Sequence, residues 1–347
     1  MKIALLEDND MLRSHLARHL SRAGHDVGTA GSLAEVRPLL LGGTFDAIVA
    51  DMHLPDGIGI GALELPPGRP CPSLIVVTGD CTPATARSAV RGDAVDYLVK
   101  PFGPDALLAA LGRISARAEW QACHAPELVG TTAALVRTLD ACRKLCTTSA
   151  PVMITGERGT LRRHYARAMH SGSGSLGPFV SLALGGIPSA ELEPAVGRRL
   201  TEARGGSILL EDPDDLPEAA QRQLAAVAAA AGMALGQRIY ALCSPTGRFA
   251  ELLRGRGPTE RIEVAPLRER VRDVPSIARR AAVAAGAAGV EDDVMAVLAA
   301  HPWPGNDLEL IGAVETMAGV AGPGETIRLA HVPPRVRAEA GSRRAEA

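Results

Sequence analysis

Five polar residues close short apolar runs in the first third of the chain, and their types fit one chemistry. "KIALLE" ends on Glu7 with Asp8 beside it, "FDAIVAD" on Asp51, "SLIVVT" on Thr78 and "VDYLVK" on Lys100. Three carboxylates gathered in one place repel one another unless a cation joins them. A hard divalent ion such as Mg²⁺ suits such a set, because it is held by one or two carboxylates and keeps several waters. A carboxylate beside that ion can attack a phosphoryl group and become an aspartyl phosphate. Lys100 and the ion would neutralise the added charge, and the Thr78 hydroxyl would donate to a phosphoryl oxygen.

These residues need a scaffold that brings strand ends together. Over residues 1–118, short apolar runs alternate with helical patterns such as "DMLRSHLARHLSRAG", which Gly24 should stop. Strands alternating with helices predict a doubly wound α/β domain with a mostly parallel sheet covered on both faces. In such folds ligands sit beyond the carboxyl ends of the strands, where these five residues fall.

The pattern resembles the receiver domain of bacterial response regulators. The resemblance is carried by "LLEDN", "DMHLPDGIG", "VVTG" and "DYLVKPF". It implies that Asp51 accepts a phosphoryl group from a histidine kinase and that Glu7, Asp8 and Asp51 hold Mg²⁺ with the backbone carbonyl of His53. It also implies that Thr78 and Tyr97 switch on phosphorylation, that Lys100 pairs the phosphate, and that Lys100–Pro101 is a cis peptide. Of 37 basic residues only Lys2, Lys100 and Lys144 are lysines, so a lysine at this position stands out.

The chain has 347 residues, 46% of them apolar, a formal net charge of −2 and a pI near 6.5. That is enough for two domains and gives no global attraction to nucleic acid or membrane. No run is long and apolar enough to span a membrane. The N-terminus does not read as a signal peptide, so a cytoplasmic location is expected. The cysteines (Cys71, Cys81, Cys123, Cys142, Cys146 and Cys243) show no metal-ligand spacing and read as reduced thiols.

Residues 119–126 break the first pattern and read as a linker. A second α/β pattern runs over 127–260, a helical lid over 261–332, and a polar, frayed tail over 333–347. Here "PVMIT" followed by "GERGTLRR" has the strand–turn–helix form of a phosphate loop, without its usual final Gly-Lys.

From Glu127 onward the chain is similar to the AAA+ domain of NtrC-type transcriptional activators, which act on the sigma-54 RNA polymerase. "ELVGTTAALV", "VMITGERGT", "GPFVSLAL", "GGSILLED", "APLRERVRDVPSIA" and "WPGNDLEL" fall in the family's order. The resemblance assigns nucleotide contacts to Gly156, Gly159, Thr160, Arg162, Glu211 and Asp212, but the chain departs from the family at these sites. Leu161 replaces a glycine where backbone must approach phosphate, and Arg162 replaces the lysine. Glu211 and Asp212 reverse the family's Asp-Glu order. Leu308, Ala250 and Ser244 stand where sensing or trans-acting polar residues are expected. Between "ELEP" and "GRRLTEARGG" the family's sigma-gripping "GAFTGA" loop is missing.

The expectation is therefore a phosphorylated response regulator with a degenerate AAA+ module and no ATP chemistry. It would signal through protein contacts, with an intact NtrC-type activator or another signalling protein as partner, and it could form a homo-oligomer. A terminal helix-turn-helix is not seen after Val332, so direct DNA binding is not expected. The alternative is an ATP-binding sigma-54-dependent activator that keeps its ATPase activity.

Overall fold

The computed structural model describes residues 1–66, 71–79, 93–235 and 237–346. The amino-terminal sheet contains β1 (Lys2–Leu6), β2 (Asp26–Ala30) and β3 (Ala47–Asp51). After the small hairpin β4 (His53–Leu54) and β5 (Gly57–Ile58), it is completed by β6 (Ser73–Thr78) and β7 (Ala94–Val99). The five long strands are parallel, in the order β2-β1-β3-β6-β7. Alternate residues of β1 serve opposite faces. Ile3 and Leu5 pack with Leu16, Leu20, Leu107 and Leu111 on one side, while Ala4 and Leu6 meet Val36 and Leu40 on the other.

Three described helices cover this sheet: α1 (Asp10–Arg22), α2 (Leu33–Leu41) and α3 (Pro104–His124). Asn9 caps α1 by accepting the Leu12 amide at 3.0 Å, and Gly24 follows its end at φ +87°, where the absence of a Cβ removes the steric penalty. Ser32 caps α2 through the Glu35 amide. The Asp56 carboxylate takes two more amides of that end, from Leu33 and Ala34, each at 2.9 Å. Those charge-assisted bonds hold its pKa below the usual carboxylate value.

The second sheet is also parallel, in the order β12-β8-β11-β10-β9. Its strands are β8 (Val152–Thr155), β9 (Phe179–Ala183), β10 (Ser207–Glu211), β11 (Arg238–Cys243) and β12 (Glu260–Glu263). The associated helices are α4 (Ala133–Leu145), α5 (Arg162–Gly172), α6 (Ser189–Glu202), α7 (Glu218–Leu235) and α8 (Phe249–Arg254). The helix α7 is rich in alanine, and Ala220, Leu224, Ala225 and Ala228 bury its inner face. The lid comprises α9 (Val274–Ala284), α10 (Asp292–Ala300), α11 (Asn306–Ala321) and α12 (Pro334–Glu346), with the two-stranded pair β13 (Gly289–Val290) and β14 (Thr326–Ile327). Its core gathers around Trp303, Leu298, Leu310 and Met317.

Three expected boundaries move. The proposed linker 119–126 is largely helical, because α3 runs unbroken to His124 and Trp120 packs on the second module's core. The α/β part does not stop at 260, since β12 pairs with β8 through Glu263. The tail is not frayed along its described length: α12 buries Val336 and Ala340 at i,i+4 spacing, which places both on one helix face. The helix α6 passes continuously through residues 194–197, where the sigma-gripping loop would be inserted.

Candidate functional site

The sheet ends bring Glu7, Asp51, Thr78 and Lys100 together as expected. The Lys100 ammonium lies 2.6 Å from Asp51 Oδ2 and 2.7 Å from Glu7 Oε2. Asp51 Oδ1 accepts the His53 amide at 3.1 Å, so both carboxylate oxygens of Asp51 are oriented. Carboxylate oxygens of Glu7, Asp8 and Asp51 all lie within 4.8 Å of one another. Glu7, Asp51 and Thr78 are buried, while Asp8 is exposed at the mouth. The backbone bonds Met52 N to Val77 O and Lys100 N to Thr78 O, each 2.7 Å, hold the three strand ends in register. Lys100–Pro101 is cis. Tyr97 projects from β7 and is half exposed.

Burial raises the pKa of Glu7, and the Lys100 ammonium only partly offsets that push. For Lys100, burial acts downward, but the Asp51 and Glu7 carboxylates outweigh it and hold the ammonium above its usual value. With all four groups ionised, three negative charges face one positive charge, an excess of two. A hard divalent cation has the charge and the oxygen preference to balance that excess. Gly59 also belongs to the site's frame, because a Cβ there would stand 1.9 Å from the Asp51 carbonyl oxygen. The sequence marks it only as one glycine in "DGIGIG".

The second constellation is assembled but occupied by its own side chains. Arg162 is buried at the start of α5, donating to the Cys243 carbonyl at 2.9 Å and to Asp212 Oδ1 at 3.0 Å. Arg158 reaches Asp215 at 2.5 Å and Asp212 at 3.9 Å, and Arg163 stands 3.6 Å from Glu211. Both strand-end acids therefore face arginines. The Thr160 hydroxyl is fully buried and donates to Glu157 O within the loop. The cavity framed by Gly156, Glu157, Arg158, Arg162 and Asp212 measures about 140 Å³, below the ~300–1,000 Å³ of typical small-molecule sites.

Leu161 keeps the backbone that a glycine would supply. It sits at φ +56° and turns its side chain into the core with Ile154 and Tyr165. The lid closes on the same turn. Arg268 pairs with both oxygens of Glu157 at 2.6 and 2.8 Å. Asn306 donates to Glu157 Oε2 and to the Arg158 carbonyl, and the Leu308 amide donates to Gly159 O at 3.1 Å. A Cβ on Gly159 would meet Gly305 O at 2.0 Å. The Glu157 bridge was not foreseen from the sequence, since "GERGT" and "PLRER" lie more than a hundred residues apart.

Five cysteines are free thiols, and Cys81 lies outside the described residues. Burial pushes Cys243 up to about 12 and raises Cys142 as well, so these two do not present thiolates at neutral pH. No helix among the described residues is long and apolar enough to cross a membrane.

A receiver sheet with an acidic pocket and one lysine, joined to an AAA+ module with a helical lid, defines a two-component response regulator. Residues 3–112 match the response regulator receiver domain, 128–196 the sigma-54 interaction domain and 268–347 the AAA+ ATPase lid domain. The chain thus has the domain content of an NtrC-type response regulator and is homologous to that group. It is 28% identical over 363 residues to the DNA-binding transcriptional regulator NtrC of Rhizobium meliloti, covering 92% of this chain and 75% of that one. To the response regulator protein PilR of Pseudomonas aeruginosa it is 29% identical over 356 residues, covering 90% and 80%. Among solved structures, NtrX from Brucella abortus in complex with ATP superposes with a TM-score of 0.51 at 25% identity, covering 96% of this chain and 84% of that one.

Proposed function

We propose that a histidine kinase phosphorylates this regulator on Asp51 and that the rear module conveys the signal without turning over ATP. The observation that carries the first part is the Lys100 ammonium bridging Asp51 and Glu7 with Asp8 alongside. The donor set of hard oxygens fits Mg²⁺, with Glu7, Asp8, Asp51 and the His53 carbonyl as its holders. When bound, the ion would supply charge neutralisation for the incoming phosphoryl group.

The chain's own residues do the rest. The Asp51 carboxylate attacks phosphorus, forming an O–P bond as the kinase's N–P bond breaks. The histidine nitrogen leaves with the electron pair. Lys100 moves its contact from the carboxylate to the new phosphoryl oxygens, and Thr78 donates to another. Tyr97 and the neighbouring strand ends then register the change on the surface. Labelling with acetyl phosphate and Mg²⁺ tests this reading. Asp51→Asn is expected to abolish uptake, and undiminished uptake would refute the assignment.

The degenerate nucleotide site is supported by Arg162 and Leu161. A guanidinium bonded to Asp212 and Cys243 O fills space that phosphate would need, and a branched side chain replaces the close-approach glycine. The ATP in the NtrX crystal is the reason to weigh the rival reading, an ATP-binding activator. Phosphate release from ATP is expected to stay at background. Turnover that Arg162→Ala destroys would favour the rival. Output is assigned to protein–protein contacts, with an intact NtrC-type activator, a second copy of this chain or another signalling protein as the receiving surface.

A further inference from the structure

The amino terminus of α4 has orphan amides, like every helix, but it does not satisfy them alone. Thr132 caps the Leu135 amide from within. The lid's Asp273 accepts the Thr131 and Thr132 amides at 2.8 and 3.0 Å and the Thr132 hydroxyl at 2.6 Å. The Ala133 amide is taken by the receiver's Asp93 at 2.5 Å. Asp93 also faces Arg272 of the lid segment at 3.6 Å. One carboxylate of the receiver therefore touches both parts of the rear module.

Asp93 is built for this position at a cost. Its backbone is left-handed, at φ +65°, and burial raises its pKa against the pull of the Ala133 amide and Arg272. It immediately precedes β7, and Lys100 immediately follows the same strand. Seven backbone steps at about 3.3 Å each, less the slack of one bulged residue, put roughly 20 Å between the two positions. The docked end of β7 is irregular: Leu74 faces Ala94 but Ile75 faces Asp96, so Val95 is an extra, bulged residue. A bulge lets one end of a strand re-aim without unpairing the other. The junction borders a cleft of about 670 Å³ lined by Asp93, Arg137 and Arg272, so its ion pair has access to solvent and can come apart.

We infer that Asp93 is the docking residue through which the state of Asp51, carried along β7, sets how firmly the receiver holds the start of α4 and the lid. This rests on the phosphorylation reading above. Loading Asp51 draws Lys100 toward new anionic oxygens at one end of β7, and the bulged end responds by loosening Asp93 from Ala133 and Arg272. Coupling of this kind is reciprocal: if loading weakens docking, weakened docking must favour loading by the same factor.

Hydrogen exchange on the full chain, with Mg²⁺ and beryllofluoride as the phosphoryl mimic, tests the inference. Loading is expected to speed exchange at Ala133 by about tenfold, within the usual range of such couplings. Amides of Ile208–Leu210, in the middle of the second sheet, serve as the fold control and should not change. Asp93→Ala should show the fast Ala133 exchange without beryllofluoride and bind beryllofluoride about tenfold more tightly. Arg272→Ala probes the same junction from the lid side and should shift both readings in the same direction, should Asp93→Ala not fold. A receiver that loads, seen by protection around Asp51, yet leaves Ala133 unchanged overturns the docking inference alone. A receiver that does not load overturns the phosphorylation reading with it.

Discussion

Replacing Leu161 with glycine restores the residue that a phosphate loop normally carries, and two effects of known sign compete. Leu161 occupies the left-handed region at φ +56°, which costs an L-residue roughly 1–2 kcal/mol that glycine would recover. Against this, the leucine side chain is buried in the core beside Ile154, Tyr165 and Leu242. Truncating a buried leucine costs about 2–5 kcal/mol, and glycine adds about 0.4–1 kcal/mol through the freer unfolded chain. Packing wins, and a net loss of about 2–3 kcal/mol is expected. Both tryptophans, Trp120 and Trp303, pack on the cores of the second module and lid, so their emission follows that half during urea unfolding. With a slope of about 3 kcal/mol/M, the midpoint should fall by close to 1 M. A midpoint that holds or rises would show that strain outweighs packing. The leucine would then be a defect of the loop rather than a replacement that the core has absorbed.

Gly59→Ala drives a Cβ into the Asp51 carbonyl; the receiver should lose at least about 1–3 kcal/mol of stability and label poorly from acetyl phosphate, and normal labelling would refute the need for glycine. The Glu157–Arg268 bridge is titratable. Arg268 holds the Glu157 pKa below its ordinary 4.5, so the bridge's contribution is complete above that value and fades as pH falls through the lower, folded-state value. The tryptophan-reported urea midpoint should therefore drop more steeply below pH 4.5 in the wild type than in Glu157→Gln; equal slopes would mean the bridge contributes nothing. Both partners are partly exposed, so the difference should be small.

The acidic pocket was legible because each of its residues closes a strand, and a parallel sheet aligns strand ends whatever the loops do. The strand–turn–helix form around "GERGTLRR" was legible for a related reason, since an apolar run ends at Thr155 and a helix begins at Arg162. The sequence did not show what Arg162 does instead. Its bonds to Cys243 O and Asp212 depend on two other strands arriving beside α5. The helical tail was missed because "PPRVRAEAGSRRAEA" is mostly charged. Only Val336 and Ala340 need to face the lid, too few for a periodic pattern to register. Residues 119–126 are largely helix rather than the expected linker because Trp120 extends the buried face of α3 by one more turn, onto a core that only the second module supplies. Asp93 left no sequence signal, since its partners Ala133 and Arg272 are distant in the chain.

The unbroken run of α3 from Pro104 to His124 has a geometric consequence. Its front end packs on the receiver through Leu107, Leu111 and Ile114. Its rear end rests Trp120 against Gly172, where a Cβ would come within 2.8 Å of the indole nitrogen. A helix advances about 100° and 1.5 Å with every residue. The two halves therefore share one angular phase, fixed by a residue count, and a single insertion in this helix would swing the receiver by more than a right angle.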